Sequence, residues 1–155
     1  EDAMWYDDIL EEVSSPETLR LRSLSVRAIT QGMYDDGARL AMRARTTAMA
    51  GRSRAEQADL RVDLITYGPA RSLVSAAVRH LLARQYEECL HAAQLAGTLY
   101  EFADASDYDL KEYWQVVGQA YRGLGDEREM DNAFMLARLS DSDLQRSPRP
   151  GPPEQ

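Results

Sequence analysis

The chain has 155 residues, of which 44% are hydrophobic and 28% charged, a balance typical of a globular domain and unlike that of a disordered chain. With 26 acidic and 18 basic residues, its formal net charge is −8, which disfavours nucleic acid and anionic membrane as partners unless positive charge is gathered locally. The single cysteine, Cys89, excludes a disulfide within this sequence, and no apolar run is long enough to span a bilayer. Because the first residues do not resemble a signal peptide, we expect a cytoplasmic location.

Glycine, proline and capping residues divide the chain into helix-length segments. The acidic stretch 3–12 predicts a short first helix. Ser14-Ser15-Pro16-Glu17 predicts a second helix, because serine accepts amide hydrogen bonds, proline suits the first turn and an early acid complements the helix dipole. We expect this helix to end at Gly32, since glycine tolerates the left-handed conformation.

Further helices follow along the chain. A helix over 34–50 is predicted to end at Gly51. Ser53-Arg-Ala-Glu56 has the spacing of a capping box and predicts a helix over 53–66, which Gly68-Pro69 should terminate. The remaining helices are predicted at about 70–84, 86–102, 109–123 and 127–139. Residues 140–155 are rich in serine, aspartate and proline and predict a flexible tail beyond a single helical domain over 1–139.

A repeated pattern runs through the predicted helices. Three segments align without gaps, each with a turn followed by compact positions three, four and three residues apart. They are 32–44 with Tyr34, Gly37, Ala41 and Ala44, 84–96 with Tyr86, Cys89, Ala93 and Ala96, and 125–137 with Glu127, Met130, Phe134 and Ala137. Small side chains allow the second helix of a hairpin to cross the first closely. We expect Tyr34 and Tyr86 to fill the gaps between neighbouring hairpins.

The helix before the third turn carries a family resemblance. Trp114-Gln-Val-Val117-Gly118-Gln-Ala-Tyr121 resembles the first half of a tetratricopeptide (TPR) repeat, and Phe134 and Ala137 match its second half. The resemblance implies an all-α, TPR-like array of antiparallel helical hairpins, with about seven or eight helices in a short right-handed α-solenoid. The hairpins would be about 16–50, 70–102 and 109–139, with an extra helix at about 53–66. Successive turns are separated by more than the family's repeat of about 34 residues, so the array is irregular. The alternative is a helical bundle with chance spacing.

The resemblance also implies a concave groove, lined by the first helix of each hairpin, that holds a peptide or helix of a partner. The residues expected to line this groove are Arg22, Val26, Ile29, Val74, Val78, Leu81, Gln115, Gln119 and Arg122. Arg22 and Arg122 would orient an acidic group. The alternative for Val74, Val78 and Leu81 is that they are core residues. Because valine stands where the carboxylate clamp of chaperone-binding TPR proteins needs asparagine, we do not predict binding to a chaperone tail.

Basic residues are gathered in one stretch without acids. The predicted basic patch for an acidic partner comprises Arg39, Arg43, Arg45, Arg52 and Arg54. The alternative is internal pairing with the acidic residues Asp7, Asp8, Glu11 and Glu12, or Asp104, Asp107 and Asp109.

No motif predicts catalysis, a cofactor or a metal site. Glu88 and His91 match the single E-x-x-H of di-iron bundles, but such sites need two of these motifs and two further glutamates. Residues 104–109 are predicted to be a helix-capping loop rather than a calcium loop. Cys89 is predicted to be an inert core thiol.

The sequence therefore favours a protein–protein interaction module, such as an adaptor, an assembly scaffold or a secretion-type chaperone. A regulatory or sensory helical domain that binds a small ligand or signalling peptide is the alternative, and a helical enzyme or metal protein is a third hypothesis. Self-association of the chain through Trp5 and Tyr6 is a further alternative.

Overall fold

The computed structural model describes residues 8–10 and 14–139, and the described residues contain helices and turns but no strand. Residues 8–10 are helical, and seven α-helices follow residue 14. They are α1 (Pro16–Thr30), α2 (Tyr34–Met49), α3 (Arg54–Asp59), α4 (Tyr67–Leu82), α5 (Tyr86–Tyr100), α6 (Asp107–Leu124) and α7 (Glu127–Leu139), with a 3-10 turn at Val62–Leu64 between α3 and α4. The predicted all-α class is confirmed. The rest of the predicted helix 3–12 and the tail 140–155 lie outside the described residues.

The long helices pack as three consecutive pairs. α1 packs on α2, α4 on α5 and α6 on α7, each pair joined by a short turn. The pairs also pack on one another: α4 contacts α1 and α6, while α5 contacts α2 and α6. The chain is therefore an array of helical hairpins, at the positions that the repeated pattern predicted.

The small repeat positions lie where the helices of a hairpin cross. The compact residues of the first two repeats are all buried, namely Gly37, Ala41, Ala44, Cys89, Ala93 and Ala96. A Cβ atom at Gly37 would overlap Ile29 and would lie 3.0 Å from the backbone oxygen of Ser25. In the third hairpin, a Cβ atom at Gly118 would lie 2.6 Å from the ring of Phe134. Close helix contact in the first and third hairpins thus depends on the absence of larger side chains.

Both repeat tyrosines connect adjacent hairpins, as predicted. The Tyr34 hydroxyl lies 2.7 Å from Nε2 of His80, on the first helix of the next hairpin, and the His80 Nδ1 atom lies 2.7 Å from the side-chain oxygen of Gln85. The ring of Tyr86 lies against Gly123 of the third hairpin, where a Cβ atom would overlap it. The aromatic ring after each of these turns therefore fills a gap that the next hairpin leaves open.

The connection between the first two hairpins differs from the predicted helix over 53–66. α3 ends at Asp59, and Arg61 has a left-handed φ of 53° before the 3-10 turn. Val62, Leu64 and Ile65 are all buried, whereas in a continuous α-helix Leu64 would be rotated by about 200° from Val62 and would point away from it. They pack in a cluster with Leu10, Leu21, Ala44 and Ala48. Burial of these apolar residues beside α1 and α2 explains why the helix is interrupted.

The start of α4 also differs from the prediction. Gly68-Pro69 was expected to break the chain, yet α4 begins at Tyr67 and includes both residues. The first backbone amides of a helix have no partner within it, so proline in this turn removes no helical hydrogen bond. No helix among the described residues is long and apolar enough to cross a membrane.

Candidate functional site

The nine residues predicted to line a concave groove differ in their exposure to solvent. Ile29 is 0% exposed and Val74 is 2% exposed, so both belong to the hydrophobic core. Arg22, Val26, Val78 and Leu81 have intermediate exposure, and Gln115, Gln119 and Arg122 are exposed. Val78 and Leu81 pack against the core. The accessible part of this face is therefore mainly polar, and much of its predicted apolar middle serves the core.

The two predicted groove arginines make contacts within the chain. Nε of Arg22 donates a hydrogen bond of 3.2 Å to the backbone oxygen of Ile65, and its guanidinium lies against Gly68. The guanidinium of Arg122 lies 5.4 Å from the ring centroid of Phe134. Arg22 therefore ties α1 to the start of α4, and its replacement by glutamate should lower stability as well as any binding.

Charged contacts join α4 and α6 at one end of this face. Nη1 of Arg71 lies 2.6 Å from Oε1 of Glu112 and 3.6 Å from Oδ1 of Asp109. The Tyr67 hydroxyl donates to the same Asp109 oxygen at 3.3 Å. Nearby Tyr100 is buried, and desolvation raises its pKa to about 12. These groups position two neighbouring helices, so we assign them a structural role.

The predicted basic patch is divided between two sides of α2. Arg39 and Arg43 border one cavity, whereas Arg45 and Arg54 border another. Successive helical residues are rotated by about 100°, so positions two apart, such as 43 and 45, point in nearly opposite directions. Arg39 pairs with Asp36 at 2.7 Å. The chain therefore presents two basic sites instead of one continuous patch.

Of the acids proposed as internal partners for this patch, two pair with other arginines, three lie outside the described residues, and Asp8 and Asp107 are exposed. Asp104 lies 3.6 Å from Arg61, and Asp109 pairs with Arg71. Asp7, Glu11 and Glu12 lie outside the described residues. The charge of Arg43 acts only weakly on Glu17, whose pKa is lowered mainly by its hydrogen bond to Arg20 and to a smaller extent by Arg43.

The first of these cavities is a groove of about 340 Å³ between α1 and α2. We call it the arginine groove, and its lining residues are Leu24, Arg27, Ala28, Gln31, Met33, Asp36, Arg39, Leu40 and Arg43. Every lining residue belongs to the first hairpin, so no other hairpin covers the groove. Its floor is apolar, and three arginines face one aspartate at its rim.

The second cavity, of about 460 Å³, lies between α2, α3 and the chain after α5. We call it the arginine pocket, and its lining residues are Arg45, Arg54, Gln57, Ala58, Arg61, Val62, Asp63 and Phe102. A third cavity, of about 440 Å³, is bordered by α5 and α6 and has Tyr113 and Trp114 in its wall. Tyr113 lies against Gly97, so its ring fills space between α5 and α6, and the ring of Trp114 packs edge-on against it.

The residues weighed for catalysis or metal binding make contacts that hold the fold together. Cys89 is 0% exposed, and desolvation raises the pKa of its thiol to about 11, so it stays protonated at neutral pH. His91 lies 3.2 Å from Asp35 of the first hairpin. Ser106 accepts a hydrogen bond from the Asp109 amide and completes a capping box for α6, which confirms the capping role predicted for 104–109. No group of three or more histidine, cysteine or acidic residues in 8–10 and 14–139 is placed to hold a metal.

Comparison of the chain with protein-family models, with curated proteins and with solved structures finds no match. The site is therefore assigned from its own geometry. Sequence reasoning named Arg39 and Arg43 but missed Arg27, Leu24 and Met33, which complete the arginine groove. The available signal was the pair Leu24 and Leu40, two leucines that no part of the repeated pattern used.

Proposed function

We propose that the chain is a protein-interaction module that binds an acidic amphipathic helix of a partner protein. The single observation that carries this proposal is the arginine groove, which joins an uncovered apolar floor to a basic rim. An amphipathic helix places apolar side chains on one face, so it can bury them in such a groove and direct its acidic residues toward the rim.

Charge complementarity supports an acidic partner. The chain has a formal net charge of −8, yet Arg27, Arg39 and Arg43 stand at this groove with Asp36 as the one acid that lines it. The Asp36 carboxylate is paired with Arg39, which leaves Arg27 and Arg43 available to a partner. A local basic site on an acidic protein steers an acidic segment to the groove and repels a basic one.

The groove also has accessible apolar surface. Met33 is 46% exposed at the turn between α1 and α2, and Leu24 and Leu40 are half-buried. Apolar side chains of a partner helix would gain most of their binding energy here, because removal of apolar area from water stabilises a complex.

The TPR-like pattern supports the broader function, because arrays of this kind hold peptides or helices. The resemblance would favour the concave face of α1, α4 and α6. The exposed residues predicted for that face, Gln115, Gln119 and Arg122, are polar, and two of its apolar residues are core. We therefore place the partner in the arginine groove.

The test is selection of binders from a displayed library of helical peptides. We expect the selected peptides to combine an apolar stripe with flanking acids, and we expect Met33→Ser to weaken their binding at least about ten-fold. Serine is favoured at the residue before a helix, where Met33 stands, so this variant should keep its melting temperature. Arg27→Gln with Arg43→Gln should slow association and reduce its salt dependence.

Arg128→Gln is the matched control, since it removes an exposed positive charge from α7 far along the chain. Equal binding by wild type and the groove variants, or selection of basic peptides, would contradict the proposal. Dimerisation in sedimentation experiments that is lost in Met33→Ser would instead assign the groove to a second copy of the chain. Displacement of the peptide by a synthetic 140–155 segment would assign it to the chain's own tail.

The second candidate function is small-ligand binding by a regulatory domain. The specific observation in its favour is the arginine pocket, which lies apart from the arginine groove and shares no lining residue with it.

A further inference from the structure

We propose that the arginine pocket binds the phosphate group of a small molecule. Three arginines from separate parts of the chain border it: Arg45 on α2, Arg54 at the start of α3 and Arg61 at the turn that follows α3. This site is independent of the proposed binding of a partner helix.

Arg45 is held in place before any ligand arrives. Its guanidinium carbon lies 4.5 Å from the ring centroid of Phe102, so the ring covers one face of the planar group. Its Nε atom is buried and makes no hydrogen bond within the described residues. Stacking limits the freedom of the side chain and reduces the entropy lost when it binds an anion.

Arg61 is the arginine whose charge is already balanced. Its guanidinium lies 3.4 Å from Asp63 and 3.6 Å from Asp104. The Asp104 amide donates a hydrogen bond of 3.0 Å to the backbone oxygen of Asp63, which joins the chain after α5 to the 3-10 turn. These contacts fix one wall of the pocket and neutralise its one acidic lining residue.

Arg54 completes the site from a well-defined helix start. Ser53 and Glu56 form a capping box around it, in which the Ser53 amide donates to the Glu56 carboxylate at 2.8 Å. That carboxylate is not among the lining groups of the pocket, and no ion pair joins Arg54 or Arg45 to an acid in the described part of the chain. Two guanidinium groups therefore remain to bind a ligand.

The number of uncommitted charges favours a doubly charged oxyanion. A phosphate monoester carries up to two negative charges and accepts paired hydrogen bonds from guanidinium groups, whereas a single carboxylate would leave one arginine unmatched. The cavity of about 460 Å³ leaves room beside Ala58 and Val62 for the organic part of a small phosphate ester.

The experiment is an NMR titration of the arginine Nε–H signals with inorganic phosphate and with phenyl phosphate at millimolar concentration. We expect saturable shifts of the Arg45 and Arg54 signals, with phenyl phosphate binding more tightly than inorganic phosphate because its ring contacts Ala58 and Val62. Sodium chloride at matched ionic strength should give no saturable shift, which separates site binding from screening.

Arg54→Gln is the diagnostic variant, because Arg54 is exposed and its loss should leave the melting temperature unchanged. Loss of one charge-assisted contact should weaken phosphate binding by about ten-fold or more. Arg52→Gln removes the same charge two residues away, outside the pocket, and should bind as wild type does. Equal affinity in wild type and Arg54→Gln, equal weakening in both variants, or no saturable shift would overturn the proposal. Peptide binding in the arginine groove should be unaffected by Arg54→Gln, so the two proposals can fail separately.

Discussion

Replacement of Gly37 by alanine tests the close helix crossing in the first hairpin. The added Cβ atom would overlap Ile29, which is 0% exposed, and would approach the backbone oxygen of Ser25 to 3.0 Å. Overpacking of this kind costs about 1–3 kcal/mol. We expect the upper part of that range, because a buried β-branched side chain and a backbone atom have little room to move.

Two smaller effects act on the same variant. Alanine improves helix propensity by about 1 kcal/mol in a helix interior. The Ser25 hydroxyl donates a hydrogen bond to the Gly37 carbonyl in this buried contact, and displacement of α2 would weaken it by about 1 kcal/mol. These two effects nearly cancel, so the expected net loss is about 2–3 kcal/mol, which corresponds to a fall of about 4–12 °C in melting temperature for a chain of this size.

The assay is urea unfolding followed by circular dichroism, with Ser75→Ala as the control. Ser75 is exposed on α4, so alanine there gains helix propensity without any overlap and should stabilise slightly. In an Ile29→Ala background, Gly37→Ala should lower the free energy of unfolding much less than it does in the wild type. The coupling free energy between the two substitutions should be about 1 kcal/mol or more. A rise in stability for Gly37→Ala in the wild-type background, or a coupling near zero, would refute the reasoning.

Four further variants test other contacts. Ser106→Ala should cost about 1 kcal/mol in urea unfolding, because it removes the cap of the long helix α6, and Ser53→Ala should cost less because α3 buries no residue. Arg71→Met should cost about 1–2 kcal/mol by the same measurement, since it leaves the buried carboxylate of Asp109 without its ion pair. Burial raises the Cys89 pKa from 9.0 to about 11, so its contribution to stability is present below pH 9 and declines as the pH rises through 11. Cys89→Ala should therefore show a smaller loss of stability than wild type between pH 9 and 11 in alkaline melts, and an equal loss would contradict this cause.

The hairpin array was predictable because its signals are local. Gly32, Gly51 and Gly125 have positive φ values of 86°, 69° and 80°. Gly32 and Gly51 stand at predicted helix ends, and Gly125 lies in the predicted turn between the helices at 109–123 and 127–139. Small residues at fixed spacing identified the crossing face of the second helix in the first two hairpins, and the tyrosines followed from the same pattern. These features depend on one or two turns of helix, so a single sequence is enough to reveal them.

The connection between hairpins and the sites depended on contacts distant in sequence. The turn at Val62–Leu64 forms because apolar residues there are buried beside α1 and α2, which local helix propensity cannot reveal. Arg45 meets Phe102 across more than fifty positions of the sequence, and nothing local predicts that pair. Likewise, apolar residues at helical spacing, such as Ile29 in α1 and Val74 in α4, give the same sequence pattern whether they face a partner or the core.

The most direct measurement of the central claim is the change in backbone amide NMR signals when a selected acidic helical peptide is added. We expect the largest changes at Leu24, Met33, Leu40 and Arg43, around the arginine groove. Changes centred instead on Gln115 and Gln119 would contradict it and would assign the partner to the face of the first helices.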